Sequence, residues 1–159
     1  MRRKIGVLLV ASFTAMMLGA CGSNGDNNKI GLTAQEYNIY LATEITAVTN
    51  QLTSRMANGN TIASDVGIDA SSELTSITHS KEVINDCIDT VGETLNISES
   101  NSYYSDKTQV LELFRQALSE LDTYEAAIKA KDSTAIRDSV TRMQLIFTSL
   151  TSVSNPVYK

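Results

Sequence analysis

Apolar residues recur every three or four positions through four separate stretches of this chain, a period that fits amphipathic helices and little else. Tyr37, Leu41, Ile45, Val48, Leu52 and Met56 lay one stripe along a first helix. Thr33 with Glu36 ahead of it has the form of a capping box, and Asn58-Gly59-Asn60 is expected to stop the helix, with Gly59 as a left-handed C-cap. A second series, Ala70, Leu74, Ile77, Lys81, Ile84, Ile88, Val91 and Leu95, alternates spacings of four and three, with Lys81 as its one charged member. Residues 61–69 contain Gly67 and read either as loop or as fraying first turns of that helix. A third helix is expected from about Asp106, an N-cap candidate with Gln109 three residues on, carrying Val110, Leu111, Phe114, Leu118, Leu121, Tyr124 and Ile128. Lys129 and Lys131 close it, where cations favour the negative end of the helix dipole. After the tight connection Lys131-Asp132-Ser133, a fourth stripe runs through Ile136, Val140, Met143, Phe147, Leu150 and Val153 until Pro156 ends it.

Threonine is abundant, but it follows the helical period rather than the alternation of strands. Four helices with one apolar face each must bury those faces against one another. The expected fold is therefore all-α: an up-and-down antiparallel four-helix bundle over residues 33–155, with a tail of residues 156–159. The short connection makes the third and fourth helices a hairpin, and residues 96–106 are expected to form the longest internal loop. A chain of 159 residues that is 42% apolar can fill one core; it is too short for a two-domain enzyme and too apolar for a disordered chain.

The first twenty residues follow a different logic. Residues 1–4 are short and basic, and residues 5–18 are an uncharged apolar run broken only by Gly6, Ser12 and Thr14. This is the layout of a secretory signal. The run is shorter than the about 20 apolar residues a permanent span needs, and polar residues follow from Gly22. At its end stand Leu18, Gly19, Ala20 and Cys21, an aliphatic residue and two small residues before a cysteine. This segment resembles the lipobox of bacterial lipoprotein precursors. The resemblance covers only the first 21 residues, and it implies that residues 1–20 are a cleaved signal peptide. It also implies that Leu18, Gly19 and Ala20 are read by the signal peptidase, and that Cys21 becomes the mature N-terminus with a thioether-linked diacylglyceryl group, with or without a further N-acyl chain. Two or three acyl chains anchor durably, at about 0.8 kcal/mol per buried methylene. The alternative is an ordinary secreted protein cut after Ala20, with Cys21 an incidental thiol. Gly22 lacks the Asp that marks inner-membrane retention in Gram-negative cells, and the envelope type stays open. Residues 21–32 would then be the lipidated terminus and a polar, flexible tether.

Removing Arg2, Arg3 and Lys4 from 13 bases leaves ten against 18 acids, a formal charge of −8. Nothing concentrates positive charge, which disfavours a nucleic-acid partner. With Cys21 modified, Cys87 has no intramolecular partner, so no disulfide framework is expected.

Catalytic constellations are thin. His79 is the single histidine, and no Glu-x-x-His, Cys-x-x-Cys-His, Gly-x-Ser-x-Gly or phosphate-binding Gly-rich loop occurs. His79, Glu82 and Asp86 share a helical face at offsets of three and four, a spacing that more often marks a solvated face than a metal site. Cys87 and His79, eight residues apart, lie about 80° and about 12 Å from each other on a helix, too far for proton transfer. Cys87 beside Ile84, Ile88 and Val91 reads as a buried, inert thiol. Asp86, Asp89 and Glu93, and Glu120, Asp122 and Glu125, read as exposed faces. No metal, cofactor or catalytic residue is expected.

Two features are candidates for contact. Lys81 is either a snorkelling cation at the bundle edge or a buried one facing a carboxylate or an anionic ligand. Tyr103-Tyr104 is either a partner-binding patch or a lid over the end of the bundle. Together these readings point to a membrane-anchored, non-catalytic helical module outside the cytoplasmic membrane, binding an envelope protein, a surface polymer or a small ligand. The alternatives are a structural or stress-related envelope protein without a ligand, and an enzyme with a carboxylate site.

Overall fold

A computed structural model describes residues 34–94 and 104–153. Four helices run through them: α1 (Ala34–Ser64), α2 (Ser71–Asp89), α3 (Tyr104–Ala130) and α4 (Ser133–Val153), with a π-helical turn (Thr90–Thr94) continuing α2. Spatial order follows chain order. α1 packs on α2, α2 on α3 and α3 on α4, and α4 returns against α1 to close the ring. The result is a four-helix bundle of up-and-down topology. Thr33 and Pro156 lie outside the described residues.

The expected stripes supply most of the core. On α3, however, Leu113 and Ala117 are buried while the expected Leu111 and Leu118 stand half-buried. On α4, Ser139 and Ile146 are buried while the expected Val140, Phe147 and Val153 stand half-buried. Tyr37, Ile45, Val48 and Leu52 of α1 meet Ile77 and Ile84 of α2, Val110, Phe114 and Leu121 of α3, and Ile136, Met143 and Leu150 of α4. On α2 the buried face is turned one residue from the expected one. Glu73, Ser80 and Cys87 point inward, while Leu74, Lys81 and Ile88 flank the interface half-buried. Ile77 and Ile84 serve either register, so apolarity alone favours the side with Leu74 and Ile88. The polar residues decide it, because Glu73 and Ser80 have partners on α1: Ser80 Oγ donates to Gln51 Oε1 at 2.9 Å.

Gly59 corrects the expected end of α1. It has no positive φ, and the helix runs through it to Ser64, with Ile62 and Ala63 continuing the buried stripe. Its missing side chain permits a close approach instead. A Cβ there would stand 2.6 Å from Val140 Cγ2 and 3.0 Å from Tyr124 Oη. Residues 61–69 thus divide: Ser64 ends α1, and the turn beyond it is held by Asp65 Oδ1 accepting from Gly67 N at 2.9 Å and Asp69 Oδ1 accepting from Ser71 N at 2.9 Å. α3 also starts two residues before the expected cap. Asp106 lies inside its first turn, where a carboxylate favours the positive end of the dipole. The expected loop over residues 96–106 is shorter by Tyr104, Ser105 and Asp106.

The α3–α4 connection is as tight as expected. Lys131 N donates to Ile128 O and Asp132 N to Ala127 O, both at 3.0 Å, the paired hydrogen bonds of a Schellman ending. Lys131 takes the left-handed position at φ 55°, the one non-glycine residue among those described with a positive φ. Asp132 then caps α4, its Oδ1 accepting from Thr134 N and Ala135 N at 3.0 Å. Ser133 Oγ and Arg137 Nη2 both donate to Ala63 O, fastening the end of α1 to the start of α4.

The two halves of the ring differ in surface chemistry. α1 and α4 together carry three acids and three bases, whereas α2, its π-helical turn and α3 carry ten acids and four bases. Threonine hydroxyls on all four helices donate to the carbonyl four residues back, as at Thr43, Thr53, Thr75, Thr123, Thr141 and Thr148. This back-bonding satisfies the hydroxyl within the helix and explains how so many threonines sit in long helices.

Candidate functional site

Of the residues that the sequence marks for chemistry or contact, those at the N-terminus — Leu18, Gly19, Ala20 and Cys21 — and Tyr103 fall outside the described residues. Tyr104 is the first residue of α3, so the tyrosine pair does not lie wholly in a loop. Lys81 is placed fully. Its Nζ reaches Asp122 Oδ1 and Glu125 Oε2 of α3, both at 2.5 Å, and Glu125 also accepts from Lys129 Nζ. Lys81 is thus a partly buried cation whose partners are carboxylates. Burial pushes its ammonium down, but the bonds to Asp122 and Glu125 outweigh that and the net shift is upward. Glu125 moves the other way, held below the ordinary carboxylate value by Lys129 first and Lys81 second.

The expectation that Glu120, Asp122 and Glu125 form one exposed face needs correction. Asp122 is exposed, but Glu120 is buried and takes both Arg142 Nε (2.7 Å) and Arg142 Nη2 (3.0 Å) in a forked pair between α3 and α4. Asp86, Asp89 and Glu93 are exposed. His79 is exposed too, its Nδ1 3.6 Å from Glu82 Oε2. Cys87 is buried, and burial, with Glu44 beside it, pushes its thiol up. Among the described residues no group of three or more His, Cys, Asp or Glu is arranged to hold a metal ion. None of the described helices is long and apolar enough to cross a membrane.

A buried polar cluster between α1, the first turn of α2 and α3 is not revealed by apolar periodicity. Arg55 of α1 is 7% exposed and Glu73 of α2 is 3% exposed. Arg55 Nη1 stands 3.2 Å from Glu73 Oε2. That is ion-pair range without hydrogen-bond alignment, and Arg55 Nε and Nη1 have no hydrogen-bond acceptor. Asn58 Nδ2 donates to Glu73 Oε2, and Tyr124 Oη of α3 lies 3.2 Å from Glu73 Oε1 and 3.3 Å from Arg55 O. Burial first, and then Glu73, push the Tyr124 hydroxyl up, so it stays a donor at all ordinary pH. Gly59 is what lets Tyr124 come this close. A signal for the cluster exists in the sequence: Arg55 sits seven residues after Val48, and Glu73 four before Ile77, both on buried stripes. A charge on such a stripe needs a partner on a facing helix.

Beside this cluster, at the end of the bundle where α1 and α3 finish and α2 begins, lies an open pocket of about 430 Å³. Ile62, Val66, Leu74 and Ile128 line it, with Ile68, 41% exposed, at its mouth. Its polar rim is Asp69, Ser71, Lys129 and Lys131. The Asp69 carboxyl is held below its ordinary value by the hydroxyl and N–H of Ser71. Ala70, at the N-cap of α2, offers no side-chain acceptor to that helix. Its volume falls within the range of small-molecule sites, and its lining is divided between aliphatic and polar groups. No protein-family model, no curated protein and no solved structure matches the chain.

Proposed function

We propose that this protein is a bacterial lipoprotein. In this reading residues 1–20 are removed, Cys21 carries the acyl anchor, and the helical bundle is a non-catalytic binding module held at the outer face of the cytoplasmic membrane or in the envelope beyond it. One observation carries the reading: Leu18-Gly19-Ala20-Cys21 stands directly after a charged start and an uncharged apolar run. A polar run from Gly22 then separates the cysteine from α1, as a tether would. The binding half draws support from the pocket at the α1–α2 turn and from the use of the buried carboxylates. Glu73 and Glu120 are each engaged by an arginine, which suits structural ion pairs rather than an acid–base pair with separated proton affinities.

The test is Cys21→Ala in the producing cell, read by metabolic labelling with an alkyne fatty acid and by membrane fractionation. The expected result is loss of acyl label and accumulation of an unprocessed or released chain. A variant that is still labelled and still membrane-bound overturns the reading.

A further inference from the structure

We infer that the open pocket at the α1–α2 turn is a binding site for a single-chain amphiphile with an anionic head. This deepens the binding half of the function proposed above and rests on it, while standing independently of the anchor.

Four observations converge. First, the floor is built from branched aliphatic side chains of three elements, Ile62 and Val66 at the end of α1 and its turn, Leu74 of α2 and Ile128 of α3. Ile68 is one of only three large apolar side chains exposed among the described residues, and it sits at this mouth. An isolated exposed isoleucine is ordinary, but one that extends an apolar floor enlarges the surface a chain can cover. Second, the volume of about 430 Å³ lies at the lower end of small-ligand pockets, which suits one acyl chain better than two. Third, the rim carries two lysines, Lys129 and Lys131, against one carboxylate, Asp69. Lys129 is shared with Glu125, but Lys131 makes no ion pair among the described residues. The one carboxylate of the lining, Asp69, accepts from the N–H and hydroxyl of Ser71. Fourth, Lys131 takes the left-handed position directly after α3, which fixes the root of its side chain at the rim of the pocket.

These observations assign the apolar chain to the floor and the head to Lys131, with Lys129 beside it. A carboxylate or a phosphate head satisfies the same chemistry. The pocket lies at the end of α1 opposite Ala34, the first residue of that helix.

The experiment uses residues 22–159, because Leu32–Lys159 forms a compact unit with its own core. Decanoate, decyl phosphate and decyltrimethylammonium are each titrated calorimetrically below their micellar concentrations. Saturable one-site binding of decanoate is expected, with the cationic probe at least about tenfold weaker. Decyl phosphate distinguishes the two head groups: binding stronger than decanoate names a phosphate-headed ligand, and weaker binding a fatty acid. Two variants localise the site. Ile68→Glu, at an exposed turn position, is expected to abolish decanoate binding. Lys131→Gly is expected to weaken it about threefold while raising the melting temperature, an opposition that damage to the fold cannot mimic. No saturable decanoate binding, equal binding of the cationic probe, or unchanged binding by both variants overturns the inference. Failure here leaves the Cys21→Ala result untouched, so the two proposals fail separately.

Discussion

Replacing Glu73 by Gln removes one negative charge from between three helices and almost nothing else. The carboxylate is 3% exposed, accepts from Asn58 Nδ2, lies within reach of Tyr124 Oη, and is the ion partner of Arg55, itself 7% exposed. Arg55 Nε and Nη1 already lack hydrogen-bond acceptors, so the guanidinium depends on Glu73 for compensation. The Gln amide also turns a donor toward groups that donate. Breaking a buried pair from one side costs about 3–5 kcal/mol, a large share of the about 5–15 kcal/mol that holds a domain folded. Urea denaturation of residues 22–159 at pH 7, followed by circular dichroism at 222 nm, reads this as a fall in midpoint at unchanged slope. The double variant Arg55→Met, Glu73→Leu removes both charges and is expected to return to within about 1 kcal/mol of the parent, since apolar replacement of a buried pair is often neutral. The exposed Glu82→Gln serves as control. If Glu73→Gln costs no more than that control, the pair is not desolvated in solution and the reasoning fails.

Gly59→Ala places a Cβ 2.6 Å from Val140 Cγ2; overpacking is expected to outweigh the helix propensity gained, for a net loss of about 1–2 kcal/mol, and Gly59→Ala with Val140→Ala is expected to recover most of it in the same assay. Glu125 is held below the ordinary carboxylate value by Lys129 and Lys81, so its pairs stabilise the fold at neutral pH and that contribution fades as pH falls through the lowered value. Lys129→Met with Lys81→Met is therefore expected to flatten the acid limb of the stability–pH curve, and an equally steep limb counts against the pairing. Cys87, buried and with its thiol pushed up, is expected to react with a disulfide reagent at pH 8 only as fast as residues 22–159 unfold; reaction within seconds in the native protein would show the thiol to be accessible.

The helices and most of the core are legible in the sequence because burying an apolar stripe is a local pattern with a long-range consequence. Tyr37 through Leu52 need only the period, as do Val110, Phe114, Leu121, Tyr124 and Ile128 of α3 and Ile136, Met143 and Leu150 of α4, whereas Val140 and Phe147 yield the interior to Ser139 and Ile146. Gly59 misleads because its meaning lies on other helices: a glycine before a polar residue signals a stop, and only Tyr124 and Val140 make it a point of close approach. The face of α2 misleads for a similar reason, since Glu73 and Ser80 are interior only because α1 brings Arg55, Asn58 and Gln51 to meet them. Of the candidate site, Lys81 can be named from its place in the apolar series, but its partners on α3 cannot. The pocket leaves no trace in the sequence because it is made by a turn, two helix ends and a helix start, none of which has a periodic signature.

The uneven division of charge around the ring makes the molecule a lever as well as a package. With the surplus acid on α2 and α3 and none on α1 and α4, a charged plane exerts a torque on the bundle rather than a uniform push. Within a screening distance of about 8 Å at physiological salt, an anionic surface turns the charge-balanced α1–α4 side toward itself and the acidic side outward. Raising the ionic strength removes that preference and lets the body tumble freely.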